Sequence, residues 1–84
     1  MDIEIGKYYL LQEKEDDFLI IKQGKWIIRI INIGINTATG ILIDSNTQGQ
    51  NGSEVYFFKP LSSQSTCDWC ELAYEEVVAY ILEN

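Results

Sequence analysis

Lys25–Ile33 reads KWIIRIINI, and six of its nine residues are Trp or Ile. On a strand, Trp26, Ile28 and Ile30 fall on one side and Ile27, Ile31 and Ile33 on the other, because successive side chains alternate. A strand that is apolar on both faces is covered on both, so this segment belongs in the middle of a sheet, with Arg29 reaching an edge or a carboxylate. On its N-terminal side, FLIIK (18–22) is separated from it by a turn around Gly24, the pattern of a β-hairpin. On its C-terminal side, Gly34 and Asn36 mark a turn before TATGILID (37–44), in which Gly40 signals a bulge or a close backbone approach. Ser45 to Ser53 is polar, contains glycine and carries almost no charge, which predicts a mobile loop. EVYFFK (54–59) is then a strand closed by Pro60, which cannot donate to a ladder. At the N-terminus, Ile3, Ile5, Tyr9 and Leu11 fall on alternate positions, although Lys7 breaks the pattern, and the polar run Glu13 to Asp17 ends this strand in an exposed loop.

The last third of the chain, SSQSTCDWCELAYEEVVAYILEN, reads as one helix. Ser65 with Asp68, and Asp68 with Glu71, are capping pairs, which predicts a helix over about 67–83. At about 100° per residue, Cys67, Cys70, Tyr74, Val77, Val78 and Ile81 gather on one side with Ala73 beside them, so both cysteines fall on the packing face. Trp69, Leu72, Glu76 and Tyr80 then project outward, with Glu75 and Glu83 further round. Apolar anchors inside a carboxylate rim are what a protein-binding surface needs.

The expected fold is therefore α+β in a single domain spanning residues 1–84. About five short antiparallel strands within 3–59 form a bent sheet or an SH3-like partly open barrel, followed by one C-terminal α-helix. No run approaches the roughly 20 apolar residues that cross a bilayer. The start, Met1-Asp2-Ile3-Glu4, is acidic where a secretory signal would be basic and then apolar, and two cysteines are too few for a disulfide framework. A cytoplasmic protein is expected, of microbial or viral origin from its Ile/Asn/Lys-rich vocabulary.

Cys67-Asp68-Trp69-Cys70 is the one constellation that invites a chemical reading. A strand followed by a CxxC helix is similar to the opening of a thioredoxin or glutaredoxin domain. In that family further strands and helices follow the motif, whereas 14 residues follow Cys70 here. A zinc site needs four ligands, and a chain with two cysteines and no histidine supplies them only by pairing with a second copy. Packing of small buried thiols is the expectation, with no metal and no cofactor; a disulfide, a redox role and an oligomer organised by the cysteines stay open.

Function classes are narrowed mainly by charge and by missing residues. Six Lys and Arg against 13 Asp and Glu leave a net charge of −7, the wrong sign for binding a phosphate backbone directly. Without histidine, a nucleophile elbow or a phosphate loop, the chain is not expected to be an enzyme. An acidic surface is instead steered toward a basic one, such as the nucleic-acid-binding groove of another protein. In size, acidity and lack of catalytic residues the chain resembles phage-encoded anti-defence proteins, anti-CRISPR and anti-restriction proteins among them. That resemblance implies an inhibitor occupying a basic partner in the host cytoplasm. The expected contacts are Glu13, Glu15, Asp16 and Asp17 in the acidic loop, and Trp69, Leu72, Glu75, Glu76, Tyr80 and Glu83 on the helix. The alternative is an adaptor or structural subunit whose SH3-like sheet binds protein, and a homodimer stays open in either case.

Overall fold

The computed structural model describes residues 1–14, 23–47 and 49–83. Among the described residues five strands precede one helix: β1 (Tyr8–Glu13), β2 (Lys25–Ile33), β3 (Thr37–Ser45), β4 (Glu54–Phe58), β5 (Cys67–Leu72) and α1 (Tyr74–Glu83). They form one antiparallel sheet in the order β4-β3-β2-β1-β5. The α+β class and the central place of Lys25–Ile33 are thus as expected, and the sheet is unclosed, since β4 and β5 lie at its two ends. FLIIK lies outside the described residues; among these, β2 pairs with β1 and β3.

Two expectations are corrected by the backbone. The first strand begins at Tyr8 rather than Ile3, because Gly6 adopts a left-handed φ of 88° and turns the chain before it pairs. Gly6 N–H still donates to Ile30 O at 2.7 Å, which holds the N-terminal segment against β2. The second correction is larger: Cys67–Leu72 is a strand, and the helix begins only at Tyr74. Its local capping signals are overridden by tertiary pairing, because β1 would otherwise leave one edge bare, and β5 fills it from Tyr8↔Leu72 to Glu13↔Cys67.

The main core lies on one face of the sheet, where Tyr9, Leu11, Ile28, Ile30, Ala38 and Leu42 are buried together with Cys67. Around them Trp26 tilts against Phe57 at 5.4 Å between ring centroids, and Trp69 meets the edge of Tyr9 at 5.7 Å. Two register shifts interrupt the β2–β3 ladder, leaving Ile43 and Ile31 without a partner opposite them. The one at Ile31 rotates Ile33 onto the same face as Ile30, so Ile33 packs with the main core rather than opposite it. Gly40 sits beside this bulge, and a Cβ there would stand 3.1 Å from the Arg29 carbonyl and from Ile28, the close approach its position suggested. A smaller cluster of Ile27, Leu72 and Val77 forms on the other face, with Tyr8, Leu10 and Ile43 at its margin. β2 is accordingly covered by the main core along one face, and on the other the smaller cluster covers it at Ile27, while Arg29 is exposed and Ile31 half-buried.

Candidate protein-interaction surface

β5 and α1 are joined at Ala73, and the start of the helix is built from one side chain. Glu76 Oε1 accepts the Ala73 backbone N–H at 3.0 Å, while Glu76 N–H and Val77 N–H donate to Ala73 O. This is half of a capping box: the acid three residues into the helix reaches back, but Ala73 has no side-chain oxygen to return the bond. Glu75 and Glu76 also place negative charge at the positive end of the helix dipole.

Only Val77 of the helix is buried, and it seats α1 on Ile27 and Leu72. Tyr74 rests its ring 6.0 Å from that of Tyr8 yet stays 63% exposed, and Leu82 is 80% exposed. Tyr80 and Ile81 are also exposed. Tyr80 lines a pocket of about 360 Å³ with Leu10, Lys25, Ile27, Asp44, Ser45 and Asn46, between the helix and the sheet.

The expected contact residues separate into groups. Trp69 and Leu72 do not stand together beside Tyr80: three residues apart on a strand, they face opposite sides, Trp69 against Tyr9 in the main core and Leu72, 5% exposed, in the smaller cluster. The indole Nε1–H of Trp69 is buried without a hydrogen-bond partner among the described residues. Glu75, Glu76, Tyr80 and Glu83 are exposed on α1, as expected. Glu13 is exposed at the end of β1, while Glu15, Asp16 and Asp17 lie outside the described residues. Arg29 is exposed and has no ion-pair partner among the described residues; Lys7 pairs instead with Glu4 at 2.7 Å and Glu71 at 3.3 Å.

The two cysteines do not share a face. Cys67 is buried and Cys70 exposed, both as free thiols, so the parity of the strand keeps their sulfurs from meeting. Burial pushes the Cys67 thiol above its ordinary value of 9.0, with a weaker opposing effect from the Thr66 hydroxyl. Cys67 is core packing, and an intrachain disulfide or a metal site shared by both sulfurs is incompatible with this geometry.

Sequence reasoning missed a second exposed group, Tyr56 and Phe58 on β4, which are 68% and 40% exposed. Their alternation with half-buried Val55 and Phe57 was legible, and Pro60 just beyond was a sign of an edge strand. Among the described residues no helix is long and apolar enough to cross a membrane. Compared with known proteins, the chain matches no family model, no curated protein and no solved structure.

Proposed function

We propose that this is a non-enzymatic binding protein whose β5–α1 surface occupies a basic, nucleic-acid-binding surface of a partner protein in the cytoplasm, as an inhibitor of the phage anti-defence type. The observation that carries the reading is a segregation of charge. Residues 60–84 contain five carboxylates, at Asp68, Glu71, Glu75, Glu76 and Glu83, and no Lys or Arg. Those five residues are all exposed, on one edge strand and the helix that follows it. Glu75 and Glu76 have a local explanation in the helix dipole and the cap. Glu83 does not, because it adds negative charge to the last turn, where the dipole is already negative and no basic residue compensates. Carboxylates held on a sheet and a seated helix can take the place of phosphates at a basic groove.

The exposed Tyr74, Ile81 and Leu82 favour a second reading, an adaptor that docks through apolar contact and for which charge is incidental. Salt separates the two. The full chain, immobilised and exposed to a lysate at about 0.05 M and about 0.5 M salt, should retain a basic nucleic-acid-binding protein only at the lower concentration. Added duplex DNA should then displace that protein, and Glu71→Gln with Glu83→Gln should weaken its capture. A partner that resists salt and DNA but is lost with Tyr74→Ala and Leu82→Ala would overturn inhibition by acidic mimicry and establish the adaptor.

A further inference from the structure

We infer that the free edge of β4 pairs with the β4 edge of a second copy of this chain, in antiparallel fashion about a two-fold axis through Tyr56, giving one sheet continuous across two subunits. The inference is independent of the function proposed for the β5–α1 surface, which lies at the other end of the sheet.

The direction of the backbone groups follows from the bonds at the two ends of the β3–β4 ladder. Leu42 N–H donates to Ser53 O at 2.9 Å, and Lys59 N–H donates to Asn36 O at 2.9 Å. Between these lie the pairs Gly40↔Val55 and Ala38↔Phe57 in the same register. Antiparallel pairs alternate between those that exchange bonds and those that do not, so Val55 and Phe57 face β3. Glu54, Tyr56 and Phe58 therefore point their N–H and C=O groups away from the sheet, along an edge that no other strand covers among the described residues.

The opposite edge is guarded. The Lys14 N–H to Thr66 O bond sets the parity of β5, so that Cys67, Trp69 and Glu71 face outward there. Cys67 O is already taken by the Ser65 hydroxyl at 3.2 Å, and Asp68 and Glu71 line the strand with charge. A second copy carrying −7 is repelled at that end. Around β4 the charge vanishes: from Ser45 to Thr66 the only ionised side chains are Glu54 and Lys59, which balance.

The β4 sequence is also self-complementary in one register. With Tyr56 opposite Tyr56 of the second copy, Glu54 lies opposite Phe58 and Val55 opposite Phe57. Each outward-facing residue then meets an outward-facing partner and exchanges both backbone bonds with it. On one face Tyr56 stacks beside its copy; its hydroxyl already donates to Glu54 Oε2 at 3.2 Å, which holds the carboxylate next to its own chain. A slip that set Glu54 against Glu54 would oppose like charges, which disfavours it. The next outward position is Pro60, which has no N–H to give, so the shared ladder ends there. A short ladder makes a small interface, and the dimer is expected to dissociate on dilution.

The test is sedimentation equilibrium of the full chain between about 10 µM and about 1 mM, with amide hydrogen exchange at both ends of that range. The expected result is a monomer that becomes a dimer with concentration, in which the Glu54, Tyr56 and Phe58 amides gain at least tenfold protection. Val55 and Phe57 should be protected at every concentration. Tyr56→Lys, which sets two cations on the axis, and Tyr56→Pro, which removes an outward N–H, should both remain folded by circular dichroism and monomeric throughout. Glu54→Gln should not prevent dimer formation. A wild-type chain that is monomeric at the upper concentration overturns the inference and leaves the edge to a strand of another protein. A dimer that survives both Tyr56 substitutions overturns it in favour of a different face.

Discussion

Cys67 and Cys70 have opposite fates because an odd number of steps separates them on a strand. The same spacing on a helix would have set both on the packing face, so a single misassigned element reversed the environment of one residue and left the other unchanged. The consequence is measurable by alkylation. With iodoacetamide near neutral pH, the folded chain should take up one adduct, on Cys70, at a rate at least tenfold above the second, and denaturant should make both reactive. The raised pKa of Cys67 also has a sign for stability. The folded state binds this proton more tightly than the unfolded state does, so the contribution is complete below the ordinary value of 9.0 and is lost as pH rises through the folded value. Unfolding free energy should therefore fall more steeply above pH 9.0 in the wild type than in Cys67→Ala.

Helix α1 is held by little: one buried valine, an aromatic contact to Tyr8 and a half-formed cap. Its first turn explains two of its acids, and its cap shows where stability is missing. Ala73→Ser or Ala73→Asp would supply the absent side-chain oxygen as a further acceptor for the N–H groups of the first turn and complete the box with Glu76. Either is expected to stabilise the fold by about 1 kcal/mol in urea titrations followed by far-ultraviolet circular dichroism, without changing the slope. Glu76→Ala should cost a similar amount, whereas Glu83→Ala, which removes an unfavourable charge from the last turn, should cost none. β5 illustrates the competing influence. Its residues carry helix-start signals, Asp68 with Glu71, of the kind that α1 uses five residues later at Ala73 and Glu76, but a bare edge of β1 offers six cross-strand pairs, and these decide the outcome.

At the scale of the molecule, the charge is sorted along the sheet, acidic at the β5–α1 end and balanced at the β4 end. Crowding five carboxylates into the last 25 residues without a cation among them opposes the compact state, and mobile ions relieve that repulsion. The melting temperature should accordingly rise by about 4 °C between about 0.01 M and about 0.3 M sodium chloride, and the rise should shrink in a Glu71→Gln, Glu83→Gln chain. The two pairs formed by Lys7 are exposed and pull weakly the other way.

Sequence alone determined the elements whose evidence is local. The doubled apolar pattern of Lys25–Ile33 required cover on both faces, and the structure places it third in a five-stranded order. Gly40 announced a close approach, and Val77 and the exposed glutamates of α1 were legible from helical periodicity, whereas Tyr74, Val78 and Ile81, expected on the packing stripe with Val77, are exposed because the helix is seated on the sheet at Val77 alone. The fate of Cys67–Leu72 was decided only by tertiary structure, because its partner strand lies some sixty residues earlier and no local signal reports a vacant edge. Trp69 and Leu72 left the expected contact surface for the same reason. The edge position of Tyr56 was only hinted at by Pro60, and the outward aim of its backbone was not legible, since alternation states which side chains share a face but not which backbone groups face the neighbouring strand. Periodicity is a property of a segment, whereas an edge is a property of the finished sheet.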